Sequence, residues 1–256
     1  METNGSETTR LGWEVRFTRR GALVLAGGAA VSAVAAACSA AVPSAGTASP
    51  PAAPTAPAPT ATPSGSLVLT PQETAGPYPM DLHSTPSFFR SNVTEGKTGV
   101  PLTLTLTILN ASGTPLTNAR VDIWHCDKDG VYSGFQQPAA NTDGQTFLRG
   151  IQLTDGSGKV TFSTVFPGWY SGRITHIHFQ VYLNNGLIAT SQLAFPDEVT
   201  RTVYDSALYA ARGQNTSVRT LAADNAFADG ADHEMLAITG SVADGFDATL
   251  TAVVST

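Results

Sequence analysis

His176 and His178 stand two residues apart in Ile174-Thr175-His176-Ile177-His178-Phe179-Gln180-Val181, a run whose β-branched and aromatic content reads as a strand. Alternate residues of a strand project from one face, so both imidazoles point one way while Ile177 and Phe179 face the other. Two imidazoles so placed can ligate one metal ion. The same pair also suits two polar residues on an exposed face, so it does not decide the matter alone. Two tyrosines bear on the choice. Tyr170 lies in Pro167-Gly168-Trp169-Tyr170-Ser171-Gly172-Arg173, directly before the strand. Tyr132 lies in Asp127-Lys128-Asp129-Gly130-Val131-Tyr132-Ser133-Gly134-Phe135, after a strand that carries Trp124. Glycines in both segments permit the irregular backbone that would bring the phenols toward the histidine face.

These segments, residues 124–135 and 167–181, resemble the intradiol ring-cleavage dioxygenase family, and the likeness extends over most of residues 70–230. Tyr132 follows Trp124 by eight residues, as the first iron-binding Tyr does in the family, and Arg173 stands three residues before His176, where the family has a catalytic Arg. Gln192, in Thr190-Ser191-Gln192-Leu193, is similar to the Gln that orients that Arg. Gln72-Glu73-Thr74-Ala75-Gly76-Pro77-Tyr78 resembles the segment that edges the substrate pocket. The resemblance therefore implies non-haem Fe(III) held by Tyr132, Tyr170, His176 and His178. It implies Arg173 and Gln192 as catalytic residues, and Gly76, Pro77, Tyr78 and Trp124 as substrate-binding ones. Three features depart from the pattern. The loop from Tyr170 to His176 is short, Gly172 stands where a pocket Trp is found, and a long helical dimerisation segment is missing.

The implied ligand set suits the implied chemistry. Phenolate is a hard anionic donor and ferric iron a hard acid, which separates a Tyr₂His₂ set from the two-His, one-carboxylate sites that bind Fe(II). A free phenol ionises near pH ~10, yet a trivalent cation would make it do so at neutral pH. The family reaction splits a catechol-type aromatic diol between its hydroxyl-bearing carbons and inserts both atoms of O2, giving a cis,cis-muconate-type diacid. Arg173, permanently cationic, would stabilise negative charge developing on the ring.

The elements that must hold these residues read as strands. Leu102-Thr103-Leu104-Thr105-Leu106-Thr107-Ile108 alternates apolar and hydroxyl side chains with the period of a half-buried strand. Turn signals over 110–118 lead to a strand over 119–126, and Asp155-Gly156-Ser157-Gly158 joins strands over 150–154 and 159–165. Residues 174–183 and 187–195 form two more strands across Asn184-Asn185-Gly186, and 249–254 a last one. Only residues 197–212 look helical. Many short strands with one short C-terminal helix predict an all-β sandwich over residues 67–256.

What precedes this domain reads as an address. Thr18-Arg19-Arg20-Gly21-Ala22-Leu23 opens an uncharged Ala/Gly/Val stretch, so residues 1–37 are expected to be a signal peptide resembling the twin-arginine type. Cys38 follows three alanines and heads a Pro/Ala/Thr/Ser-rich stretch, residues 38–66, that has little to pack. This resembles a bacterial lipoprotein whose first mature Cys is acylated. The expected location is therefore outside the cytoplasm, with attachment to the outer face of the cell membrane through Cys38. Removing the four Arg and three Glu before residue 38 from 14 basic and 20 acidic residues leaves 10 against 17, a charge of −7 that excludes a nucleic-acid partner. Cys38 and Cys126 are the only cysteines, so a disulfide framework is not expected, and Cys126 reads as a buried inert thiol. His83, His125 and His233 lack matching partners and read as structural. Two other readings stay open on the residues alone. One is a non-catalytic, surface-tethered β-sandwich binding module; the other is a zinc hydrolase using His176 and His178.

Overall fold

The computed structural model describes residues 67–83 and 85–256. The expected signal peptide, the tether and Cys38 lie outside the described residues. Two four-stranded sheets face each other. One has the order β6 (Lys159–Val165), β1 (Pro101–Asn110), β10 (Gly245–Val254), β9 (Ala237–Ser241). The other has the order β5 (Arg149–Leu153), β2 (Arg120–Trp124), β7 (His176–Leu183), β8 (Gly186–Ala194). A two-residue hairpin, β3 (Gln136–Gln137) with β4 (Ala140–Asn141), stands apart.

The alternation in β1 does what its period dictates. Leu102, Leu104, Leu106 and Ile108 are buried inward, while Thr105 on the other face meets Thr161 of β6 at 3.1 Å. Val121 and Ile123 of β2, and Ile177, Phe179 and Val181 of β7, fill the opposite side of the same core, with Phe162, Leu193, Ala248 and Ala252 between them. Each large apolar side chain in this layer contributes on the order of 1.5–3 kcal/mol relative to leaving it exposed. Burying Ile177 and Phe179 in turn fixes which way His176 and His178 point.

The hairpin between β7 and β8 is tighter than the sequence suggests. Asn184 and Asn185 both take positive φ, 50° and 64°, as a two-residue primed turn requires, so Gly186 already belongs to β8. The helix is shorter than expected: α1 spans Asp197–Tyr204 and does not continue to Arg212. Tertiary bonds override propensity there. The Tyr209 hydroxyl donates to the Phe166 carbonyl at 2.6 Å and accepts from the Val100 amide at 3.2 Å, so 205–212 follows the sheet surface in separate turns. β10 runs parallel to β1, from Leu102 beside Phe246 to Asn110 beside Val254, and begins four residues before the expected 249. Among the described residues no helix is long and apolar enough to cross a membrane.

Candidate active site

In register across β2, β7 and β8, Trp124, His178 and Gln192 are direct neighbours, so their side chains share one face of the sheet. The Trp124 ring stacks on the His178 imidazole with centroids 4.9 Å apart and planes within 4°. His176, two residues earlier on the same face, directs its Nε2 at the Nε2 of His178 from 3.1 Å. The Nδ1–H of His176 donates to the Ile174 carbonyl at 2.6 Å, which leaves a lone pair on Nε2.

Both tyrosines reach that same atom. Tyr132 Oη lies 3.3 Å and Tyr170 Oη 3.5 Å from His176 Nε2. Tyr132 is held by its backbone: the side-chain amide of Gln137 accepts from its N–H at 3.0 Å and donates to its carbonyl at 2.6 Å, and the Thr142 hydroxyl donates to that carbonyl as well. The β3–β4 hairpin thus serves as a clamp on one site residue. The next residue, Ser133, is gripped by buried Arg149 through Nε at 2.9 Å and Nη2 at 2.8 Å. The Tyr170 loop lies directly on the Tyr132 loop, with Gly168 N–H donating to the Asp127 carbonyl at 3.0 Å. At Gly130, φ is +82° and a Cβ would come within 2.1 Å of the Trp169 carbonyl, so only glycine lets the two loops close.

Arg173 lies beside this cluster, largely buried. Its Nη2 donates to Gln192 Oε1 at 2.5 Å, and Gln192 Nε2 donates to the Thr74 carbonyl at 2.8 Å. Its Nε donates to Asp224, a residue the sequence offered no reason to select, at 2.9 Å. Segment 72–78 forms the adjoining wall. Gly76 sits so close to His178 that a Cβ would lie 3.0 Å from Cε1, and the Tyr78 ring is 4.8 Å from that of Tyr132. Pro77, between them, faces solvent. The three other histidines stay apart from the cluster. His125 is fully buried with both nitrogens bonded, to the Cys126 carbonyl at 2.8 Å and the Thr164 hydroxyl at 2.7 Å, His83 packs edge-on against Tyr182, and His233 is exposed. Cys126 is free and buried, and its thiol is pushed far up by burial and by Asp127.

Burial keeps all four cluster groups neutral. His176 is pulled down to about 3, by burial first and by the Arg173 charge next, and His178 is lowered for the same reason with His176 adding to it. Tyr132 is raised well above an ordinary phenol by burial, and Tyr170 is raised to about 12, with Arg173 opposing the rise. Burial also works against the charge of Arg173, but Asp224 and the two tyrosines outweigh it and raise its pKa.

The donor set fits a hard trivalent cation. Three groups crowd one imidazole lone pair that can accept a single good hydrogen bond, and Nδ1 of His178 is buried beside the Thr74 backbone without a partner of normal geometry. A cation shared by the two phenols and two imidazoles would use all four donor atoms at once. A zinc site of the usual composition is not indicated: among the described residues no group of three or more His, Cys, Asp or Glu side chains is placed to hold a metal.

Comparison with known proteins identifies the family of this fold. A family profile described as Dioxygenase matches residues 86–236, a stretch that contains Trp124, Tyr132, Tyr170, Arg173, His176, His178, Gln192 and Asp224. An intradiol ring-cleavage dioxygenase from Tetranychus urticae superposes with a TM-score of 0.67 at 28% identity, over 74% of this chain and 95% of its own. The dioxygenase domain of a dioxygenase–carbohydrate-binding fusion protein from Streptomyces sp. SirexAA-E superposes with a TM-score of 0.54 at 25% identity, over 73% and 99% of the two chains. Catechol 1,2-dioxygenase of Acinetobacter baylyi is 28% identical over 162 residues, 56% of this chain and 51% of that protein. The chain spans about half the length of the curated relatives it matches. With a profile covering more than half the sequence and the sandwich fold shared by these structures, the chain belongs to the intradiol ring-cleavage dioxygenase family.

Proposed function

We propose that the chain is a non-haem Fe(III) enzyme that cleaves a catechol-type diol between its hydroxyl-bearing carbons, with Tyr132, Tyr170, His176 and His178 as the iron ligands. The observation that carries this is the convergence of both phenol oxygens and His178 Nε2 on His176 Nε2, all within 3.5 Å. Ferric iron would act as a Lewis acid that lets a chelated diol lose both hydroxyl protons, and the ionised ring is the electron-rich form open to attack by O2. The protein's own part lies in protons, aim and shielding. Tyr170 is partly exposed where Tyr132 is 1% exposed, which makes Tyr170, ionised as a ligand, the phenolate able to swing out and take a proton from a diol hydroxyl. Arg173 then faces the negative charge that the ionised diol places on ring carbon before it passes to the attacking oxygen. Trp124, Gly76 and Tyr78 wall the site and exclude water from it. Both oxygen atoms enter the product and one ring C–C bond breaks, so no external reductant is required.

Residues 18–38 support a second proposal, that the enzyme is exported by the twin-arginine route and held at the outer face of the cell membrane by acylated Cys38. The test of the central reading is oxygen uptake by the purified protein with catechol, protocatechuate, hydroxyquinol and larger lignin-like diols, together with metal analysis. Uptake matched by muconate-type product supports it; an iron-free protein inert to every diol overturns it.

A further inference from the structure

We propose that Asp224 is the positioning residue of Arg173, acting through it to aim the guanidinium at the bound ring, an inference that rests on the catalytic reading above. Asp224 lies 51 residues beyond Arg173 and is completely buried. Its carboxylate accepts from Arg173 Nε with both oxygens, at 3.1 and 2.9 Å, from the Ile174 N–H at 2.7 Å and from the Ala226 N–H at 2.9 Å. No lone pair faces an apolar wall unsatisfied, which is the condition under which a buried ion pair is tolerable.

The geometry goes beyond tolerance. A guanidinium is a rigid plane, so fixing two of its nitrogens fixes its orientation. Asp224 takes Nε and Gln192 takes Nη2, from two separate elements, and Gln192 is itself tied to the Thr74 carbonyl. The Arg173 carbonyl is held as well, by the side-chain amide of Asn215 at 2.8 Å. Nη1 is the nitrogen that neither Asp224 nor Gln192 engages. Held in this way, the Arg173 side chain also lies within hydrogen-bonding influence of Tyr170, which ties the clamped plane to the cluster.

Asp224→Asn keeps size but places an amide N–H₂ against backbone and guanidinium donors. It is expected to lower kcat for oxygen uptake by ~10–100-fold, the usual effect of losing a partner that orients a working residue, with KM, iron content and the visible spectrum close to wild type. The decisive comparison is the cycle of Asp224→Asn, Arg173→Ala and the double variant. If Asp224 acts through Arg173, the double variant is no slower than Arg173→Ala alone; losses that multiply overturn the proposal. A nitrogen-15 spectrum of the metal-free full chain gives an arm independent of turnover. The Arg173 Nε–H signal, identified by its loss in Arg173→Ala, should exchange slowly with solvent in the wild type. Exchange as fast as that of exposed arginines overturns the proposal even if Asp224→Asn fails to fold. Absence of iron and of activity in the wild type would instead strike the catalytic reading and leave this measurement to judge the clamp.

Discussion

The Nε2 atoms of His176 and His178 face each other across 3.1 Å with their rings nearly perpendicular, at 89°. Since the His176 proton is committed to the Ile174 carbonyl, its Nε2 presents a lone pair at a point that His178 Nε2 and two phenols also reach. The purified mature protein is therefore expected to hold about one iron per chain, as one four-donor site requires, and to be coloured by phenolate-to-iron charge transfer. Tyr132→Phe or Tyr170→Phe removes an anionic donor while sparing the ring, and should shift or abolish the band. Colourless protein filled with zinc, or an unchanged spectrum in both variants, would count decisively against these ligands.

Gly76 makes the site sensitive to a single methyl group. Its φ of +67° costs an L-residue about 1–2 kcal/mol, and the new Cβ would press on His178 Cε1 at 3.0 Å and Nε2 at 3.2 Å. Gly76→Ala should lower the melting temperature and displace His178 from its stack on Trp124. Iron per chain, measured after dialysis against a mild chelator, is expected to fall below that of wild type. Full retention of iron would show that the 72–78 wall does not bear on the ligand.

Legibility in the sequence followed the range of the interactions. Strand alternation in β1 and the opposed faces of β7 are local, so Leu102 to Ile108 and the His176/His178 face could be read directly. The four-donor cluster was legible because its residues sit in two short segments with glycines and a family resemblance. Asp224 was not, since one Asp in a loop acquires meaning only when the fold brings it to Arg173 from 51 residues away. The β3–β4 clamp escaped notice for a related reason: two-residue strands have no period. β9, with exposed residues on both faces and Gly240 inside it, likewise shows no alternation. The helix was overextended because Tyr209 is recruited by Phe166 and Val100, contacts that no window of neighbours contains.

His125 adds a sensitivity to acid from outside the site, in the same direction as that of His176 and His178. Burial holds its folded pKa down at about 4 against an ordinary 6.5, with the Cys126 carbonyl and Asp127 opposing. As pH falls through 6.5 the unfolded chain takes up the proton first, so stability present above that value is lost down to about pH 4. A shift of that size amounts to on the order of 3 kcal/mol. Melting temperatures of the metal-free protein between pH 7 and pH 4.5 should decline steeply, and less steeply in His125→Gln. Parallel slopes would mean that His125 does not resist protonation as its burial implies.

Export is separable from catalysis. Changing Arg19 and Arg20 to Lys should leave a folded precursor in the cytoplasm if the twin-arginine route is used, whereas normal secretion would favour the general route. Cys38→Ser should release the protein from the membrane fraction if that thiol carries the lipid. Fractionation with an activity assay reads both, and unchanged membrane retention in Cys38→Ser excludes acylation there.

Arg173 should act on the substrate and not on the metal, because a guanidinium has no lone pair to offer at ordinary pH. Its charge is also what opposes the burial-driven rise of Tyr170, so its loss leaves that phenol harder to ionise in the empty site. Coordination to a trivalent ion would dominate this effect, and Arg173→Ala is expected to keep iron content and resting colour near wild type. Turnover should nevertheless fall by ~10²-fold or more, the typical loss on removing a preorganised partner of transition-state charge. Arg173→Lys separates charge from aim. An ammonium restores the positive charge but cannot bond Asp224 and Gln192 from a fixed plane while pointing a further donor elsewhere, so it should recover only part of the loss. Oxygen consumption with the best diol, alongside iron analysis of the same preparation, decides the point. Wild-type turnover in Arg173→Ala with normal iron would reduce Arg173 to a structural residue, and full recovery in Arg173→Lys would show that charge alone, without the fixed plane, is what the reaction uses.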